Sequence, residues 1–135
     1  MILIIDCEKN VTEKDVKDFE ERYNVNLPID LKKLLFKFNG GYTEDSDDVD
    51  KFLSLKYGAI TIEMMIETHQ VTEQNLPKQY LPFALDWSGN PITVCLNEGR
   101  DYGKIVKFYF DTDDEPETIA DSLEELLGVK SMDDL

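Results

Sequence analysis

Apolar positions in the first third of the chain recur at helical spacing. Val16, Phe19 and Tyr23 share one stripe of residues 12–24, the pattern of a helix that buries one face. Thr12 stands at the N-cap position and Asp15 three residues later can return the hydrogen bond, so a capping box is expected to open this helix. Leu27-Pro28 breaks it, and proline suits the first turn of a second helix. Leu31, Leu34, Leu35 and Phe38 carry that helix forward, and Asn39-Gly40-Gly41 is its expected stop, because glycine accepts the left-handed conformation of a C-cap. Residues 42–58 read as an acidic loop with a short strand at 52–55. Helical spacing returns over 59–70 through Ile62, Met65, Ile66 and His69, and Asn75-Leu76-Pro77 closes it.

Beyond residue 80 the pattern becomes strand-like. Residues 81–87, 91–96 and 104–110 are strand candidates. Ile92, Val94 and Leu96 alternate with Thr93 and Cys95, as in a half-buried strand. Ser88-Gly89-Asn90 predicts a hairpin turn between the first two, and the polar link 97–103 contains two glycines. An acidic linker, 111–117, then leads to a last helix whose buried face holds Ile119, Leu123, Leu126 and Leu127, with Gly128 as C-cap. Strands joined by short turns rather than helical crossovers pair antiparallel. The predicted class is therefore α+β: a mainly antiparallel sheet with two N-terminal helices and one C-terminal helix packed on it. No internal repeat or boundary divides residues 1–135, which are expected to form one domain. An exposed edge of such a sheet is a route to self-association, and the sequence leaves the oligomeric state open.

Charge changes this picture. Twenty-nine acids oppose 14 bases, a net charge of -15, and 21 of those acids lie in residues 41–135 beside only 7 bases. Such a field repels nucleic acid and anionic lipid, which are excluded as partners, and draws in basic proteins. Hydrophobic residues make up 41% of the chain, enough for a folded core. Cys7 and Cys95 are the only cysteines and sit in apolar, strand-like segments, where a buried thiol behaves as a small hydrophobe. The short apolar start, Met1-Ile-Leu-Ile-Ile-Asp6, has no basic leader and cannot span a membrane, so a cytoplasmic location is expected.

Candidate chemistry is sparse. His69 is the only histidine, and nothing in the sequence places either cysteine beside it as a nucleophile would require. Three Cys and His residues, widely separated, do not make a structural zinc site. Asp111, Asp113 and Glu115 begin like a calcium loop, but Pro116 and Ser122 stand where that loop needs its glycine and its final glutamate. No metal or cofactor is expected. Paired carboxylates of a hydrolase remain a third reading, for which two acids would have to converge in a pocket.

Residues 12–41 also form a pattern as a whole. A helix carrying Phe19-Glu20 runs into Leu27-Pro28, then Leu31, Leu34 and Leu35, then Asn39-Gly40-Gly41-Tyr42. This resembles the opening of the SUKH superfamily, the Smi/Knr-like domains. Leu81-Pro82-Phe83-Ala84 with Asp86-Trp87-Ser88-Gly89-Asn90 is similar to that family's central hairpin. The resemblance implies an α+β fold and a non-catalytic role. Bacterial members are mostly immunity proteins encoded beside toxins, many of them nucleases, and the fungal namesake regulates cell-wall assembly through protein contacts. It implies for this chain a protein partner, a basic toxin domain, with a regulatory adaptor as the alternative. The matching residues Phe19, Leu27, Pro28, Leu34, Leu35, Asn39, Gly40 and Gly41 read as structural. The expected binding face is instead the two acidic runs, Glu44, Asp45, Asp47, Asp48 and Asp50 with Asp111, Asp113, Asp114 and Glu115. Tyr42, Trp87 and Tyr102 lie near turns as aromatic anchors, and Trp87 reads equally as core or interface.

Overall fold

In the computed structural model, which describes residues 2–135, the strands join one antiparallel sheet in the order in which the chain makes them. They are β1 (Ile4–Ile5), β2 (Gly41–Thr43), β3 (Lys51–Phe52), β4 (Tyr80–Leu85), β5 (Pro91–Cys95), β6 (Ile105–Lys107) and β7 (Glu117–Ala120). The helices are α1 (Glu13–Tyr23), α2 (Ile29–Lys37), α3 (Ile62–Met65), which runs on as a π-helix over Ile66–Thr72, and α4 (Leu123–Leu127). The predicted α+β class and the two N-terminal helices and one C-terminal helix are observed. Met1 lies outside the described residues.

The main core lies between the helices and one face of the sheet. Val16, Phe19, Leu31, Leu34, Leu35, Ile62, Leu123 and Leu127 pack there against Phe83, Ile92, Val94 and Ile105. A smaller cluster of Leu76, Val106 and Phe108, flanked by Tyr80, forms separately. Gln70, at the end of α3's extension, fastens this region by donating from Nε2 to the carbonyls of Pro77 (3.1 Å) and Tyr80 (2.7 Å). β5 is consequently buried at every position and not half-buried as its alternation suggested. Thr93 is enclosed and satisfies its hydroxyl on the Val106 carbonyl at 2.8 Å.

Helix α1 begins as its sequence dictates. Thr12 Oγ1 accepts from the Asp15 N–H (3.1 Å), and Asp15 Oδ2 accepts from the Thr12 N–H (3.0 Å). Lys56 Nζ lies 2.7 Å from Asp15 Oδ1. The Lys56 hydrogen bond, followed by those from Thr12, holds the Asp15 carboxyl at about 2, below its ordinary 3.8. A depressed carboxyl stabilises the fold above its unfolded pKa, and that contribution is lost as pH falls through the folded value. The urea midpoint of Asp15→Asn should therefore lie furthest below that of the parent near about pH 6, with the gap closing toward about pH 2. A gap that stays constant with pH would remove this linkage.

The stop of α2 differs from the expected glycine cap. The helix ends at Phe38 in an extended conformation (φ -135°), and its N–H bonds back to Leu34. The Asn39-Gly40-Gly41 run that follows joins three parts of the structure. Asn39 is fully buried, with Nδ2 donating to the carbonyls of Lys9 (2.8 Å) and Leu55 (3.0 Å) and Oδ1 accepting from the Leu55 N–H (2.7 Å). Gly40, at φ +75°, lies so close to Ser54 that a Cβ would sit 2.9 Å from its backbone nitrogen. Gly41, at φ +132°, opens β2 against β1, and a Cβ there would come within 2.7 Å of the Ile5 carbonyl oxygen.

Three further expectations are corrected. Glu117–Ala120 is the edge strand β7 and not the start of the last helix, so Ile119 is half-buried in the sheet. The helix begins only after Ser122, whose Oγ accepts from the Glu125 N–H at 3.1 Å. Of the two cysteines, Cys95 is buried but Cys7 is exposed. The strand expected over 52–55 is confined to Lys51–Phe52, with Ser54 making an isolated bridge to Thr61.

Candidate functional site

In an antiparallel meander, alternate turns fall at the same end of the sheet. Here those are the β2–β3, β4–β5 and β6–β7 connections, residues 44–50, 86–90 and 108–116. They contain Glu44, Asp45, Asp47, Asp48, Asp50, Asp86, Asp111, Asp113, Asp114 and Glu115, and no Lys, Arg or His. The fold thus gathers both acidic runs and Trp87 at one corner. Most of these side chains are exposed; Asp50 is half-buried and Asp86 buried.

The middle turn ties its neighbours together. Trp87 Nε1 donates to the Ser46 carbonyl at 3.0 Å, which anchors the first loop. Ser46 Oγ in turn accepts from the N–H groups of Asp48 (3.2 Å) and Val49 (3.0 Å). On the other side, Asn90 Nδ2 donates to Asp111 Oδ1 (2.9 Å), and Asn90 Oδ1 accepts from the Phe110 N–H (2.8 Å). Asp86 closes the turn itself: Oδ1 accepts from the N–H groups of Ser88 (2.9 Å) and Asn90 (2.8 Å). Lys107 Nζ lies 3.3 Å from Asp86 Oδ2. Burial alone would raise the Asp86 carboxyl, but the bonds from Asn90, Ser88 and Lys107 outweigh it and hold the pKa below its ordinary value. Asp86 therefore stays charged as part of the frame, whereas the loop carboxylates on either side face solvent.

Trp87 is 57% exposed, which places it on the surface and not in the core. Tyr42 is also exposed, on β2, with Lys51 Nζ 4.9 Å from its ring centroid. Tyr102 lies in the β5–β6 connection at the opposite end of the sheet and is not brought to the corner. Asp86, Asn90 and Lys107 were missed as participants. The available signal was the Asp-x-x-Gly-Asn run, in which an aspartate can bond the backbone two residues on.

A separate cleft of about 300 Å³ opens between the start of α2, the sheet and the start of α4, lined by Ile29, Phe83, Val94, Ile105 and Tyr102 with Asp30 and Asp121. Glu124 beside it has its carboxyl raised, by a hydrogen bond with Asp30 first and burial second, but does not itself line the cleft. The Cys7 thiol is pushed up by desolvation and then by Asp6, the reverse of nucleophile activation. The His69 ring packs 4.9 Å from that of Phe110, and its Nδ1 lies 3.3 Å from Asn75 Oδ1. Among the described residues no three His, Cys, Asp or Glu side chains are grouped to hold a metal, and no helix is long and apolar enough to cross a membrane.

Fold and site together define an α+β protein whose most developed surface feature is a rigidly framed acidic corner. Residues 10–128 match the SMI1 / KNR4 family (SUKH-1), and the chain belongs to that family. No curated protein matches it significantly.

Proposed function

We propose that this protein is a non-catalytic immunity protein that binds and neutralises a cognate toxin in the cytoplasm, the whole chain acting as one binding domain. The observation that carries the reading is the acidic corner, in which three consecutive same-end turns present carboxylates without a single base. Family membership supports a protein partner of this kind. A nuclease holds phosphates with basic side chains, and the corner offers a fixed polyanion in their place. Its charge steers association, and buried anchors set the residence time.

Trp87 is the proposed anchor. Trp87→Ala removes one hydrogen bond and an exposed ring, so stability should fall by about 1 kcal/mol or less. Affinity for the toxin should fall by about 2 kcal/mol or more, as for a hot-spot aromatic. Equal small losses in both measurements would take Trp87 out of the interface.

The deciding experiment is a pull-down from lysate of the source organism at low and high salt, read by mass spectrometry. Recovery of a basic toxin domain, weakened by salt, followed by relief of its toxicity on co-expression, is the expected result. Recovery of an ordinary cellular protein instead, with no toxin encoded nearby, would replace immunity by the adaptor reading.

A further inference from the structure

The two edges of the sheet are unlike. β1 is two residues long, and the chain entering it is tied to α4, the Ile2 N–H bonding the Leu127 carbonyl at 3.0 Å. β7 pairs only with β6. Among the described residues, none of the backbone groups of Glu117–Ala120 makes a main-chain hydrogen bond beyond that pairing. Exposed edges are commonly blunted by lysine, by proline within the strand or by a covering element. β7 contains neither residue, since Pro116 lies just before it. Its middle residues, Thr118 and Ile119, are β-branched and favour pairing.

The surroundings select the occupant. Asp111, Asp113, Asp114 and Glu115 lead into β7, Glu117 lies within it and Asp121 follows it, and residues 108–129 contain no Lys or Arg. The Tyr109 hydroxyl donates to Glu117 Oε1 at 2.7 Å and fixes that carboxylate beside the strand. A second copy fits poorly: each chain carries a net charge of -15, and antiparallel self-pairing would set Glu117 near Asp121 of the other copy.

We propose that β7 is a docking edge that takes an extended, lysine- or arginine-rich segment of the partner protein as an eighth strand. Main-chain hydrogen bonds provide the pairing, and the flanking carboxylates select the basic side chains. This rests on the partner being a basic protein and names the element through which it is held.

The test uses the intact protein, labelled with nitrogen-15, and two synthetic peptides. One is acetyl-(Lys-Val)3-Lys-amide. The other is identical in charge and length but has every backbone amide N-methylated, so it cannot donate to a sheet edge. Support would be shifts and slowed exchange of the amides of residues 117–120 with the first peptide, and binding at least about tenfold weaker with the second, the equivalent of one to two hydrogen bonds. Equal binding of both peptides, with shifts confined to residues 44–50 and 86–90, would overturn the docking edge and leave charge-based toxin binding standing. No binding of either peptide would also overturn it, and the pull-down then decides the function independently. A concentration-dependent dimer protected at 117–120 would give the edge to a second copy and overturn its use by a basic partner.

Discussion

Asn39→Ala is expected to lower folding stability by about 3 kcal/mol, through three hydrogen bonds lost from one fully buried side chain. The side chain sits where the end of α2, the segment before α1 and the turn after β3 meet. It alone satisfies the N–H of Leu55 with its oxygen while its amide serves the carbonyls of Lys9 and Leu55. Truncation leaves the Leu55 N–H enclosed without a partner, an orphan that costs about 1–3 kcal/mol. It also takes a donor from the Lys9 and Leu55 carbonyls, of which the second keeps its bond from the Tyr57 N–H at 2.7 Å. Asn39→Asp should fare no better, because a carboxylate would face two carbonyl oxygens that need donors. Urea unfolding followed by circular dichroism gives the value directly. A loss below about 1 kcal/mol would show that water enters and replaces the amide.

Charge removal at the corner should act on a different quantity. Replacing Asp45, Asp47, Asp48, Asp111, Asp113 and Asp114 by asparagine retains the side-chain oxygens that accept from Leu3, Asn90 and Thr112. Folding stability should therefore hold or rise slightly as like charges are removed. Association with the proposed toxin partner should slow by about tenfold to a hundredfold at low salt, and the rate should lose most of its salt dependence. Asp86 and Asp50 are left in place because they belong to the frame and the loop's base. Stopped-flow association over a range of ionic strength separates the outcomes. An unchanged rate and an unchanged salt slope would move the interface elsewhere.

Local chemistry was legible in the sequence where a few adjacent residues decide the structure. The Thr12–Asp15 capping box, the Pro28 start of α2 and the Ser88-Gly89-Asn90 turn need only their neighbours. Strands β1 and β2 span two or three residues and leave no periodicity to detect, and β3 was legible only where Phe52 falls in the strand expected over 52–55. β7 was hidden for another reason: Ile119 stands four residues before Leu123, so it falls on the stripe of α4 and mimics its first turn. Burial of β5 on both faces depends on Leu76 and Phe108, which come from remote parts of the chain. The acidic runs were visible one by one, but their meeting was not. It follows from the parity of the strands, since an even number of reversals separates the β2–β3, β4–β5 and β6–β7 turns. The same parity sends Tyr102 to the far end.

Agreement between strand order and chain order also bears on how the protein folds. From β4 to β7 each new strand adds to the one made just before it, across connections of at most about ten residues, so little loop-closure entropy opposes each step. β1 and β2 are different: two helices lie between them, and their pairing closes a far longer stretch of chain. The second half can therefore zip together as a run of hairpins and offer a finished face to the helices. The N-terminal strand is then expected to join last, seated where Gly41 brings the β1 backbone too close for a side chain.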